Sequence, residues 1–113
     1  METPPYYLVI DVEATCDQDH RIPREQTEII EVGAVLCDAT SLQPRAEFQA
    51  FVKPVRHPKL TVFCTELTSI RQQDVDSAKG FAEAMGQFAR FLTAQNAIGR
   101  FTFCSWGDYD RQQ

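Results

Sequence analysis

The sequence lacks several features that would assign it to other classes of protein. No run approaches the roughly 18 consecutive apolar residues that cross a membrane, and no basic region precedes the first apolar run, so we expect neither a membrane span nor a secretory signal peptide. Internal repeats, low-complexity tracts and linkers are also missing. With 113 residues, 43% of them hydrophobic and 24% charged, the chain is at most one small domain of globular composition.

Cysteine and histidine are too sparse and too scattered for a typical zinc site. The chain has four cysteines, which are Cys16, Cys37, Cys64 and Cys104. None belongs to a C-x-x-C pair, and neither His20 nor His57 lies at the spacing of a zinc ligand. We therefore expect reduced, mostly buried thiols in a cytoplasmic protein.

Charge is distributed unevenly along the chain. The net charge of −5 by itself speaks against a polyanionic partner. However, residues 1–43 hold two arginines against nine acids, a balance of −7, whereas residues 44–73 hold five cations against two acids, a balance of +3. An acidic region that can hold cations beside a basic one suits phosphate chemistry with metal ions, although ordinary surface charge explains these counts equally well.

Hydrophobic patterning predicts four strands and one long helix. The predicted strands are 6–11, 27–38, 45–54 and 100–106. The first, YYLVID, reads as a strand buried on both faces. FCTELTSI (63–70) predicts a helical turn, and residues 77–94 predict a helix that starts near Asp74 and Asp76. The apolar stripe of this helix is Phe81, Met85, Phe88 and Leu92.

This order of elements predicts an α/β fold with a mixed sheet. The second and third strands would form an antiparallel hairpin, and the helix would cross over to a last strand parallel to the first. One face of such a sheet would lack a covering layer. We therefore expect residues 1–113 to be the N-terminal part of a larger domain.

Two carboxylates interrupt the apolar stretch VIDVEATC (9–16). Alternate residues of a strand face the same way, about 6.6 Å apart, so Asp11 and Glu13 would enter one space. There they would repel each other unless a hard divalent cation, such as Mg²⁺ or Mn²⁺, lay between them. Because Asp-x-Glu triplets are common by chance, a solvated strand end is the alternative.

The last predicted strand also ends in acids, in CSWGDYD (104–110). If the crossover places this strand beside the first, its acids approach Asp11 and Glu13 at the carboxyl ends of the strands, where active sites of open α/β sheets lie. We expect Asp108 to cap a following helix and Asp110 to point towards the metal ions.

Five segments, taken together and in order, resemble one enzyme family. They are IDVEATC, TEIIEVGAV, FCTELTSI, the apolar helix pattern that begins at Val75, and SWGDYD. These segments resemble the DEDD (DnaQ-like) 3′–5′ exonucleases of the ribonuclease H fold. The most similar branch includes the histone-mRNA 3′ exonuclease and the exonucleases that limit RNA interference. The resemblance implies a ribonuclease H-like mixed sheet, incomplete at the C-terminus of this chain.

The resemblance also implies a catalytic centre with two metal ions. Asp11 would bridge two Mg²⁺ or Mn²⁺ ions, Glu13 would bind one ion and orient the attacking water, and Asp110 would be a further ligand. The backbone of Ala14 and Thr15 would hold the terminal nucleotide and its 3′-hydroxyl.

Further residues resemble the family's contacts to the terminal base. They are Phe63, Leu67, Thr68 and Ile70, with Tyr109 as a stacking residue or a core residue. For the apolar members of this group, packing within the protein is an equally good explanation.

One part of the family pattern is missing from the sequence. The pattern requires, near the C-terminus, a histidine followed some five residues later by the fourth acid, an aspartate, and neither His20 nor His57 is followed by an aspartate at that offset. We expect a metal-dependent 3′–5′ exonuclease that releases 5′-mononucleotides from single-stranded nucleic acid, RNA rather than DNA, with residues 1–113 inactive alone. The alternative is a non-catalytic nucleotide- or RNA-binding module of the same fold.

Overall fold

The computed structural model describes residues 4–105. The strands are β1 (Tyr6–Ala14), β2 (Ile29–Asp38), β3 (Pro44–Phe51) and β4 (Phe101–Ser105). The helices are α1 (Val62–Thr68), α2 (Gln72–Asp76) and α3 (Phe81–Ala94). Two short 3-10 turns, Gln18–His20 and Arg24–Gln26, follow β1. Among the described residues, no helix has the length and apolar character needed to cross a bilayer.

The four strands form one mixed sheet in the order β3-β2-β1-β4. β2 pairs antiparallel with both β1 and β3, and β4 pairs parallel with β1 from Tyr6↔Phe101 to Ile10↔Ser105. The predicted hairpin and the predicted parallel crossover are therefore both confirmed. In the hairpin turn, the N–H groups of Ser41 and Thr40 donate to the Asp38 carboxylate, at 2.9 and 2.8 Å, and hold the pKa of Asp38 below its usual value.

The core lies between α3 and one face of the sheet. Tyr6 and Leu8 are buried there with Leu92, and the Phe48 ring lies 5.2 Å from the ring of Phe88 between centroids. Alternate residues of a strand face opposite sides of the sheet. The side of β1 that faces away from α3 is less covered, and Asp11 is exposed there. Burial of β1 on both faces, as predicted from its sequence, is wrong for the described residues.

The predicted helix 77–94 begins later than its sequence suggested. Asp74 accepts a hydrogen bond from the backbone N–H of Arg71, at 2.9 Å, and so closes the first turn of a separate helix, α2. α3 starts only after Gly80. Phe81 thus lies in the first turn of α3 and is 53% exposed, so its predicted place in the core is wrong.

Candidate active site

Asp11 and Glu13 lie in β1 on the sheet face opposite α3. Asp11 pairs with Gly33 of β2, and Glu13 pairs with Glu31. The missing side chain at Gly33 leaves space beside Asp11, which lines an open groove of about 520 Å³. A register shift between Glu13 and Ala14 ends the regular pairing directly after the two acids. As predicted, the two acids are on the same face; they stand inside the strand, which continues to Ala14.

Strand β4 brings a second chain segment to the same edge of the sheet. β4 runs parallel to β1, and its last described pair is Ile10↔Ser105, so Ser105 lies one residue short of Asp11 along the pairing. Asp108, Tyr109 and Asp110, to which we assigned capping, stacking and metal-binding roles, lie outside the described residues. Their roles stay predictions.

The donor set in β1 fits a hard divalent cation. Asp11 and Glu13 offer carboxylate oxygens, which are the ligands preferred by Mg²⁺ and Mn²⁺. Within residues 4–105, however, no three side chains of His, Cys, Asp or Glu are grouped so that they could hold a metal ion together. Asp11 and Glu13 are therefore at most part of a ligand set, whose other members would come from elsewhere in the protein.

The segment that follows β1 is hydrogen-bonded to Glu28. Thr15 is only 2% exposed. Its N–H donates to the Glu28 carbonyl at 2.8 Å, and its Oγ1 accepts from the Glu28 N–H at 2.9 Å. These bonds give the buried N–H and the buried hydroxyl oxygen of Thr15 a partner each, and they hold the backbone beside Ala14. The backbone proposed to hold a terminal nucleotide is thus an ordered feature of the fold.

Helix α1 begins against the same segment. Thr61 caps the helix by accepting from the N–H of Cys64 at 3.0 Å, and its hydroxyl donates to the carbonyl of Cys16 at 2.6 Å. The Cys64 thiol approaches the carbonyl of Ala14 at 3.8 Å. Burial and a hydrogen bond with the Cys64 side chain raise the pKa of the Cys16 thiol to about 12.

The four predicted base-contact residues of the α1 region divide into two pairs. Leu67 is 66% exposed and Phe63 is half-buried, so both are accessible to a ligand. By contrast, Ile70 is 2% exposed in a cluster with Ile30. The Thr68 hydroxyl donates to the Cys64 carbonyl at 2.8 Å and accepts from the Ile70 N–H at 3.2 Å. For Thr68 and Ile70, internal contacts account for the positions, and base contact stays a prediction.

Glu28 is a residue that the sequence analysis did not single out. Its carboxylate accepts from the backbone N–H groups of Val55 at 2.9 Å, Arg56 at 2.6 Å and His57 at 3.4 Å. The His57 ring is in turn 3.0 Å from the Gln26 side chain. No local pattern signals this role, because the three partners are 27 to 29 residues away in sequence.

Comparison with known proteins places the chain among nucleases. The family model RNase_T, described as Exonuclease, matches residues 8–112. The 3′-5′ exonuclease Snipper of Drosophila melanogaster is 35% identical over 93% of this chain, and ERI1 exoribonuclease 2 of Homo sapiens is 42% identical over 77% of it. The chain spans 43% of the length of the first relative and 12% of the second.

Solved structures match the fold over almost the whole chain. The nuclease domain of 3′hExo, a DEDDh family member bound to rAMP, superposes with a TM-score of 0.87 at 30% identity, over 95% of this chain and 54% of that one. A 3′-exonuclease that recognises the 3′ end of the histone mRNA stem-loop superposes with a TM-score of 0.89 at 29% identity, over 97% of this chain and 49% of that one. The ribonuclease H-like fold expected from the sequence is therefore confirmed.

Proposed function

We propose that this chain, which belongs to the exonuclease family, forms the N-terminal part of a metal-dependent 3′–5′ exonuclease domain. The proposed reaction releases 5′-mononucleotides from the 3′ end of a single strand, RNA in preference to DNA. The observation that carries the proposal is the position of Asp11 and Glu13. Both lie on one face of the sheet, towards the carboxyl ends of the parallel strands β1 and β4. The preference for RNA rests on the similarity to an exoribonuclease.

Asp11 and Glu13 would hold the two Mg²⁺ or Mn²⁺ ions, with Asp110 as a further ligand. When bound, such ions neutralise charge on the scissile phosphate and make a bound water more acidic. Glu13 would also orient the attacking water, since its carboxylate shares a face with Asp11. General-base catalysis would come from a residue outside the described chain.

The segment after β1 would position the substrate for this reaction. The backbone of Ala14 and Thr15 would contact the sugar and 3′-hydroxyl of the terminal nucleotide, and Leu67 and Phe63 would cover its base. Apolar contact with a base face does not depend on sequence, so end recognition would be general. Because the Thr15 backbone is fixed by Glu28, little conformational entropy would be lost when the nucleotide binds.

The proposal also includes a cytosolic location. All four cysteines are free thiols in the structure, and Cys16 packs against the core cluster that contains Cys64. Free thiols in such numbers are common in reducing compartments.

An end-labelling experiment tests the proposed function. Full-length protein is incubated with Mn²⁺ and single-stranded RNA that carries a 5′ label. We expect a ladder of products shortened from the 3′ end and 5′-mononucleotides in the chromatogram, with no reaction in EDTA and recovery when Mn²⁺ is added in excess. Internal cleavage, or removal of nucleotides from the 5′ end, would contradict the proposal. RNA binding without any shortening would favour the non-catalytic binding module.

A further inference from the structure

A short basic loop is anchored to the segment proposed to hold the terminal nucleotide. This loop, residues 53–59 (KPVRHPK), carries Lys53, Arg56 and Lys59 and contains no acid. Lys79 adjoins it, because the Lys53 N–H donates to the Lys79 carbonyl at 2.8 Å. We call Lys53, Arg56, Lys59 and Lys79 the basic surface.

The charges of the basic surface are not neutralised within the described chain. All four side chains are exposed. Within residues 4–105 none of the four forms an ion pair with a carboxylate, and the guanidinium of Arg56 donates only to the neutral backbone carbonyl of Glu25, at 2.7 Å. Even with the Glu28 carboxylate, which binds the loop backbone, four cations leave a local excess of positive charge, which attracts anions in a protein whose net charge is −5.

Glu28 fixes the loop relative to the nucleotide segment. Its carboxylate binds the N–H groups of Val55 and Arg56, while its backbone makes both hydrogen bonds to Thr15. The Glu28 carboxylate thus binds the backbone of the loop, and the Arg56 guanidinium donates to the Glu25 carbonyl. Glu28 therefore links the basic loop to the segment after β1 through hydrogen bonds on both sides.

From this arrangement we propose that the basic surface binds the backbone phosphates of the strand upstream of its 3′-terminal nucleotide. The inference rests on the proposed function for its substrate, a single-stranded RNA. Lysine and arginine contacts to phosphate carry no sequence information but set register and affinity, and each releases counterions from the nucleic acid. Phosphates beyond the terminal nucleotide would therefore increase affinity in a strongly salt-dependent way.

Salt-dependent binding tests this proposal without requiring catalysis. Fluorescence anisotropy measures the affinity of the full-length protein for a 5′-labelled RNA oligonucleotide in EDTA, across a range of salt concentrations. For the triple variant Lys53→Gln/Arg56→Gln/Lys59→Gln we expect the slope of log affinity against log salt to decrease by about 2, that is, about 0.7 for each lost contact to a single strand. Affinity for a dinucleotide, measured by competition, should be unchanged.

A charge-matched control separates local contacts from net charge. Arg45→Gln/Arg90→Gln/Arg100→Gln removes three exposed cations outside the basic surface, and its slope should equal that of the wild type. An equal decrease in both triple variants, or no decrease in either, would overturn the proposal and leave the loop as ordinary solvated charge. If circular dichroism shows that a triple variant is unfolded, Lys59→Gln alone should lower the slope by about 0.7.

The two proposals can fail separately. If the full-length protein binds RNA with the expected slopes but does not shorten it in Mn²⁺, the exonuclease proposal fails and the basic surface stands. If the protein shortens RNA but the loop triple variant retains the wild-type salt slope and oligonucleotide affinity, the proposed phosphate binding by the basic surface is wrong. The exonuclease proposal then stands.

Discussion

Thr15 and Glu28 hold each other through two hydrogen bonds, one in each direction. The Thr15 N–H donates to the Glu28 carbonyl at 2.8 Å, and the Glu28 N–H donates to Thr15 Oγ1 at 2.9 Å. This pair continues the contact between β1 and β2 past the register shift at Glu13 and Ala14. It therefore keeps the chain ordered just beyond the two candidate metal ligands.

The Thr15–Glu28 pair should be measurable in stability. Thr15→Val keeps the shape of the side chain but leaves the Glu28 N–H without its acceptor, which should lower the free energy of unfolding by about 1–3 kcal/mol. Thr15→Ser keeps the hydroxyl and loses one methyl group, at a cost of about 0.8 kcal/mol. Urea unfolding of the three proteins gives both values. Thr15→Val as stable as the wild type would show that this bond contributes nothing.

The assignment of the acids is tested by three single substitutions. Asp11→Ala and Asp110→Ala each remove a proposed metal ligand and should abolish the stepwise shortening of labelled RNA in Mn²⁺. Asp108→Ala should leave the rate largely intact, because we assign Asp108 to a helix cap. Loss of activity in Asp108→Ala equal to that in Asp110→Ala would mean that the wrong aspartate was assigned.

Leu67 and Ile70 form a matched pair for separating ligand contact from packing. Ile70 is 2% exposed, so Ile70→Ala should cost about 2–5 kcal/mol of unfolding free energy. Leu67 is 66% exposed, so Leu67→Ala should change stability by less than about 0.5 kcal/mol while it weakens AMP binding several-fold. Thermal unfolding and AMP titration by calorimetry provide the two measurements. AMP affinity unchanged in Leu67→Ala would exclude this residue from the base contact.

Gly33 tests how much room the sheet leaves beside Asp11. A Cβ at Gly33 would have as its nearest neighbour the Asp11 carbonyl at 3.7 Å, which is ordinary van der Waals contact. Gly33→Ala should therefore fit without strain and raise the free energy of unfolding by about 0.4–1 kcal/mol, since it restricts the unfolded chain. Chemical denaturation measures the change. A loss of stability would indicate that β1 and β2 approach more closely at this position than the structure shows.

The Cys16 thiol should resist alkylation in the folded protein. Its pKa is raised from 9.0 to about 12, so between these values the folded state keeps a proton that the unfolded state loses. The contribution of Cys16 to the free energy of unfolding is therefore fully present below pH 9 and is lost as the pH rises towards 12. At pH 9, iodoacetamide should modify Cys16 much more slowly in native protein than in urea, as followed by peptide mass spectrometry. Equal rates in the two states would contradict the raised pKa.

Local patterning was sufficient for the four strands, for most of helix α3 and for placing Asp11 and Glu13 on one face of β1. A continuous apolar run predicts strand β1, and apolar residues three to four positions apart predict helix α3; both patterns depend only on neighbours in sequence. A strand also places residues two apart on one face whatever surrounds it. The hairpin and the parallel crossover followed from the order of the elements.

Contacts across the folded chain decided the rest. Which face of β1 is covered depends on where α3 packs, and the position of Phe81 at the start of that helix exposes a residue that its periodicity assigned to the core. Glu28 becomes the anchor of the basic loop only because folding brings Val55 and Arg56 to its carboxylate. Hydrogen bonds between residues so distant in sequence produce no periodic pattern in the sequence, so only the folded structure reveals them.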